Sequence, residues 1–231
     1  MDLACKTLEK IFGIEITDAE LFRKALTHTS FAKENNTNEH YERLEFLGDA
    51  VLKLCVSDIL YTMFPEYPEG NLTKIRSIVV SDKSLSVLSE KLGVDKLMIL
   101  GKQEEKTGGR KKTSIKACAF EAILGAYYLD GKYLQIEKFL KNEFSTLIGD
   151  VDKNFEKFNS KNILQEYTQS QNKMIPEYEL VSESGPEHDK VFCVRVVYNE
   201  KVLATGSGKT KKEAEQQAAF KACQSLNIIK E

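Results

Sequence analysis

The apolar side chains of this chain change their period partway along it. Over roughly the first 150 residues they recur at the 3.6-residue spacing of helices, in 18–27, 41–64, 70–92, 115–129 and 134–147. Pro and Gly interrupt that pattern at PEYPEG (65–70) and TGG (107–109), where turns are expected. A polar stretch, GDVDKNFEKFNSKN (149–162), then precedes a helical segment at 162–171 and three strand-like runs: EYELVSES, VFCVRVVYN and KVLATGSG. In the middle run Phe192, Val194, Val196 and Tyr198 alternate onto one face. A last helix starts near Thr210, a good N-cap, with Ala214, Ala218 and Ala222 at helical spacing, small enough to lie close on a sheet. The expectation is a mainly α N-terminal domain (1–150), a linker (151–160) and an α+β domain (161–231) of order α-β-β-β-α.

Within the helical part, YERLEFLGDAVL (41–52) carries three acids, Glu42, Glu45 and Asp49. At about 100° per residue they fall within roughly 60° of one another, while Leu44, Leu47, Val51 and Cys55 gather opposite. A solvated acidic face over a buried apolar one is the simplest reading. Two details argue for more. Like charges three and four positions apart repel unless cations neutralise them. Phe46 falls on the acid side, where an aromatic is exposed in a monomer and suits a partner surface. Together they suggest a metal site near a subunit contact.

Other features narrow the function classes. No apolar run approaches the roughly 18–20 residues of a membrane span, and the start, MDLACKTLEKIFGIEI, is a poor signal peptide. Five scattered cysteines without a C-x-x-C pair argue against disulfide and zinc frameworks and for a reducing cytoplasm. The net charge of −2 does not suggest a nucleic-acid binder, but lysines cluster at GRKKTSIK (109–116) and GSGKTKKEA (206–214). Local patches, rather than the average, decide phosphate binding.

With these residues in view, the chain resembles the ribonuclease III endonucleases. YERLEFLGDAVL closely matches the ERLEFLGD motif of that family. The likeness continues through ALTHTSFAKE (25–34), PEGNLTKIRSIVVSDKSLS (68–86) and SIKACAFEAILGAYYLDG (114–131), and ends in a segment like a double-stranded RNA-binding domain. The resemblance implies cleavage of duplex RNA by a homodimer, leaving 5′-phosphate and 3′-hydroxyl ends, as in processing of rRNA precursors. It implies divalent metal, usually Mg²⁺ with Mn²⁺ as a substitute, held by Glu42, Glu45, Asp49 and Glu121 with Glu69 as an accessory acid. Hard carboxylate oxygens suit Mg²⁺. Phe46 matches the aromatic that the family inserts into its partner subunit. Thr27 and His28 match a family motif and are read as structural, through capping and core hydrogen bonds.

One position departs from the family pattern. Three residues before Glu121 the family carries Asp, and this chain has Cys118. A thiol with an ordinary pKa of about 8.5 is mostly neutral at pH 7 and is a soft ligand. The site is therefore expected to hold Mg²⁺ less tightly and turn over more slowly, with Mn²⁺ compensating in part. The alternative is a duplex RNA-binding protein that cleaves weakly or not at all.

In the C-terminal domain, Gln165 and Glu166 on the first helix and His188 in GPEHDK (185–190) are expected at successive RNA minor grooves. Lys209, Lys211 and Lys212 surround the start of the last helix, whose N–H groups and dipole favour phosphate. Glu215, where many such domains carry Lys, is expected to lower affinity. Lys74, Arg76 and the basic loop 110–112 are either further phosphate contacts or plain surface charge.

Overall fold

The computed structural model describes residues 3–186 and 190–229, leaving aside the side chains of 156–158. His188 lies outside the described residues. The chain divides into two compact units, 1–150 and 151–231. Its helices are α1 (Leu3–Phe12), α2 (Ala19–Leu26), α3 (Thr29–Glu34), α4 (Glu42–Met63), α5 (Glu69–Val79), α6 (Asp82–Leu92), α7 (Lys102–Lys106), α8 (Thr113–Leu129), α9 (Tyr133–Lys153) and α10 (Phe155–Asn172). Strands β1 (Glu177–Ser184), β2 (Val191–Tyr198) and β3 (Lys201–Gly208) follow, then α11 (Lys211–Ser225). No described helix is long and apolar enough to cross a membrane.

The first unit is built around α8. Ile115, Ala117, Ala119, Phe120, Ala122, Ile123, Leu124, Ala126 and Tyr127 are all buried, so this helix is apolar nearly all round, the pattern of a helix enclosed by others. Phe12 of α1 and Phe22 of α2 pack on the Tyr127 ring, with centroids 5.2 and 4.5 Å away. Helix α4 lies against α8 through Leu44, Val51, Leu52 and Cys55. Two glycines set that distance. A Cβ on Gly48 would sit 1.7 Å from the Glu121 carbonyl oxygen, and one on Gly125 would sit 2.2 Å from that of Leu44.

The stretch expected as one helix over 70–92 is two. Ser81 breaks it as the N-cap of α6, its hydroxyl accepting from the Ser84 backbone N, after Val79 and Val80 end α5. The hydroxyls of Ser81 and Ser84 both donate to the Ile78 carbonyl, at 2.7 and 2.8 Å, and so hold the corner. A side-chain cap and satisfied carbonyl outweigh continued helical periodicity there. The polar stretch 149–162 is largely helical, lying in α9 and α10 around Asn154, because Val151, Asn159 and Ser160 find buried positions.

In the second unit the three strands pair antiparallel in the order β1-β2-β3. Val194 and Val196 of β2 are buried, and Leu164 of α10 joins Ala218, Ala219 and Ala222 of α11 in the core. The small side chains of α11 bring it onto β3: a Cβ on Gly206 would lie 2.4 Å from the Ala214 carbonyl oxygen. Across the outer face Glu179 and Arg195 pair at 2.6 Å, in register between β1 and β2.

Candidate active site and RNA interface

The close α4–α8 crossing positions the acids. Glu45 and Asp49 leave α4 one turn apart on either side of Gly48, and Glu121 leaves α8 at the residue whose carbonyl Gly48 touches. Glu42, Glu45, Phe46, Asp49, Asp82 and Glu121 line one open pocket of about 520 Å³. Three helices thus supply five carboxylates. Four of them, Glu42, Glu45, Asp49 and Glu121, are the acids the sequence singles out. Asp82, from the first turn of α6, is a residue that sequence reasoning missed. The signal was legible in part, since Ser-Asp at 81–82 is an N-cap followed by a first-turn acid.

Electrostatics in the pocket follow from crowding. The Glu121 carboxyl is pushed up to about 8, chiefly by burial and then by the charges of Asp49, Glu45 and Asp82. The Asp49 carboxylate is held by Lys53 at 2.7 Å, one turn along α4. The Cys118 thiol, half-buried, donates to the Glu45 carboxylate. Burial, this hydrogen bond and the charges of Glu45, Glu121 and Asp82 all push its pKa up, so it is a neutral donor. Cys118 therefore stands against the pocket's acids, as its sequence position implies, without adding charge.

The donor set fits a hard divalent cation: five carboxylates around one pocket, with repulsion among them that a cation removes. Among the described residues no three His, Cys, Asp or Glu side chains already converge as a ligand set. Asp49 turned to Lys53 and Glu45 engaged by Cys118 account for part of that spread.

Glu69 does not line this pocket. It borders a second one with Leu54, Ser57, Asp58, Leu60, Tyr61, Leu72, Thr73 and Arg76, and accepts from the Thr73 hydroxyl at 2.7 Å. Phe46 is 82% exposed at the rim of the acidic pocket. His28 caps α3, its Nδ1 accepting from the Ser30 backbone N at 3.1 Å, and burial lowers its pKa. The Thr27 hydroxyl donates to the Arg23 carbonyl at 2.7 Å.

The basic loop at 110–112 is largely consumed by the fold. Arg110 donates to the carbonyls of Asp95 and Met98 and pairs with Glu105 at 2.6 Å, while Lys112 pairs with Glu104 at 2.7 Å. The Arg76 guanidinium donates to the Ser57 hydroxyl at 2.7 Å.

In the second unit Lys209, Lys211 and Lys212 are exposed around the start of α11, and Thr210 caps it by accepting from the Glu213 backbone N. Gln165 and Glu166 are exposed on α10. Glu215 is turned to Lys161, 2.5 Å away, whose ammonium also lies over the Tyr178 ring. Its charge is matched within the fold and ties α10 to α11.

Comparison with known proteins agrees with both units. Residues 18–147 match the family model described as Ribonuclease-III-like, and residues 160–226 match the double-stranded RNA binding motif. Ribonuclease 3 of Bdellovibrio bacteriovorus is 46% identical over 225 residues, covering 96% of each chain. Ribonuclease 3 of Natranaerobius thermophilus is 44% identical over 221 residues, covering 95% of each. The solved nuclease domain of ribonuclease III from Campylobacter jejuni matches with a TM-score of 0.55 at 37% identity, covering 63% of this chain and 96% of that one. With the matched models and relatives spanning both units, the chain belongs to the ribonuclease III family.

Proposed function

We propose that this ribonuclease III-family endonuclease cuts duplex RNA at the acidic pocket, with Glu45, Asp49 and Glu121 as the principal carboxylates toward Mg²⁺ and Glu42 at the rim. The observation that carries the reading is the convergence of acids from α4 and α8 on one pocket, in a chain that also bears a duplex RNA-binding motif.

A divalent cation bound there supplies Lewis-acid charge to the attacking water and the scissile phosphate. The chain's own residues make that binding favourable and directional. Without a cation the pocket repels phosphate, and Glu121 relieves crowding by keeping a proton. With a cation held there, Glu121 would serve as a carboxylate ligand, its proton given up to solvent. Lys53, paired with Asp49 at 2.7 Å, balances part of the pocket's negative charge. The Gly48 contact fixes the separation of the two acid-bearing helices, so the backbone positions of their carboxylates are set by main chain. The products expected are 5′-phosphate and 3′-hydroxyl ends, and the substrates structured RNAs such as rRNA precursors.

The second unit supplies affinity. Lys209, Lys211 and Lys212 at the α11 N-terminus suit phosphates, and the exposed Gln165 and Glu166 suit a minor groove. Tethering raises the local concentration of duplex at the nuclease unit. Phe46, exposed beside the acids, suits burial in a second copy, making the working enzyme a homodimer. Consistent with this, the Campylobacter jejuni nuclease domain is described by a region involved in dimer formation. Five free cysteines fit a cytoplasmic setting.

The test is cleavage of a labelled RNA duplex with binding measured alongside. Glu121→Gln and Asp49→Asn should keep binding but lose at least the roughly 10–100-fold seen when a metal's surroundings are disturbed. Unchanged cleavage in both variants would refute this site. The rival reading, binding without cutting, rests on Cys118 alone, and relatives named Ribonuclease 3 do not favour it. The same assay decides it.

A further inference from the structure

Two acids of the pocket have committed partners: Asp49 with Lys53, and Glu45 with the Cys118 thiol. Asp82 is different. Among the described residues no hydrogen bond or ion pair engages its carboxylate, yet it borders the pocket beside Glu121 and close enough for its charge to act on both Glu121 and Cys118. It is also held in place. The Ser81 and Ser84 hydroxyls lock the corner before it, Leu85 is fully buried one turn on, and Glu90 pairs with the buried Lys116 of α8 two turns further. An exposed carboxylate on a fixed stretch of backbone, lining a pocket with four others and without a counter-charge, is unfavourable unless a cation enters.

Cys118, on α8 beside these acids, brings neither the negative charge nor the hard oxygen of the Asp that the family resemblance implies there. Asp82 brings one of each from α6 to the same pocket. We infer that Asp82 is the substitute carboxylate of this site, supplying toward the divalent cation the charge and oxygen that Cys118 does not. The inference rests on the carboxylate-site reading above. It makes Asp82 and position 118 interchangeable suppliers, so their substitutions must be coupled rather than additive.

The experiment is Mg²⁺ titration of the full chain by calorimetry, without RNA, for the natural sequence, Asp82→Asn, Asp82→Glu, Cys118→Asp, the Cys118→Asp/Asp82→Asn pair and Glu121→Gln. Cation-free thermal unfolding reports whether each variant is folded. Asp82→Asn should weaken Mg²⁺ about tenfold, while Asp82→Glu, which keeps the charge, should recover most of that loss. In the Cys118→Asp background the same Asp82→Asn change should cost less than about threefold. Natural affinity in Asp82→Asn overturns the inference, as does an equal loss in both backgrounds. The two readings fail differently. If Glu121→Gln abolishes binding but Asp82→Asn does not, the site stands and Asp82 is not part of it. If neither the natural chain nor Cys118→Asp binds Mg²⁺, both readings fall.

Discussion

Gly48 lies against the backbone of Glu121 so closely that a Cβ there would sit 1.7 Å from the Glu121 carbonyl oxygen. The contact joins the α4 acids to the α8 acid through main chain rather than through flexible side chains. Gly48→Ala gains about 1 kcal/mol of helix propensity. It must also separate two helices, and overpacking of this kind typically costs ~1–3 kcal/mol. The expected outcome is a lower Tm and a larger loss of cleavage than the stability change explains. Because catalytic geometry tolerates little displacement, a folded Gly48→Ala chain with natural cleavage would remove the glycine from this role.

Glu121 makes cation-free stability depend on pH. Its carboxyl is raised to about 8 in the folded chain against an ordinary 4.5, so the folded state binds more protons between those values. The stabilisation is fully present below about 4.5 and is lost as pH rises through about 8. The Tm of the cation-free chain should fall over that range, and Mg²⁺ at the alkaline end should restore it. Glu121→Gln should flatten the profile. Thermal unfolding at several pH values, with and without Mg²⁺, measures this directly.

Cys118→Asp should raise Mg²⁺-dependent cleavage, because it restores a hard oxygen ligand and a charge beside Glu45. The gain should be smaller in Mn²⁺, which tolerates softer donors. Single-turnover cleavage in each metal, at matched RNA occupancy, separates chemistry from binding. Equal rates for both chains in both metals would show that position 118 is dispensable.

Phe46→Ala should leave the folded monomer nearly untouched, since an exposed side chain usually changes stability by no more than about 0.5 kcal/mol. Self-association should weaken instead. Sedimentation over a range of concentrations reads this, and unchanged association would place the interface elsewhere.

Lys211→Ala and Lys212→Ala should weaken duplex RNA binding without sequence preference. Removing one lysine–phosphate ion pair lowers the slope of log affinity against log salt by about 1. Arg110→Ala should act differently. Its guanidinium holds the carbonyls of Asp95 and Met98, so the effect should appear in Tm more than in RNA affinity. Binding isotherms at several salt concentrations distinguish the two classes.

Local periodicity determined much of this protein. The helices at 18–27, 41–64, 115–129 and 134–147, the α-β-β-β-α order of the second unit, the shared face of Glu42, Glu45 and Asp49 and the exposure of Phe46 all follow from spacing along one element, whereas α1, α3 and α7 are not legible in it. Such faces survive packing because an element's period sets which side chains can point together. Family resemblance added Glu121 and the departure at Cys118. Tertiary structure decided what depends on contacts between distant segments. Ser81 and Ser84 found the Ile78 carbonyl and split an apparently continuous helix, and that corner delivered Asp82 to the pocket. Glu69 turned to a different pocket, and Arg110 was absorbed by carbonyls 12 and 15 residues away. The reason is physical: spacing fixes direction within an element, whereas the angle and distance at which elements meet depend on contacts such as Gly48 on Glu121, which no single stretch contains.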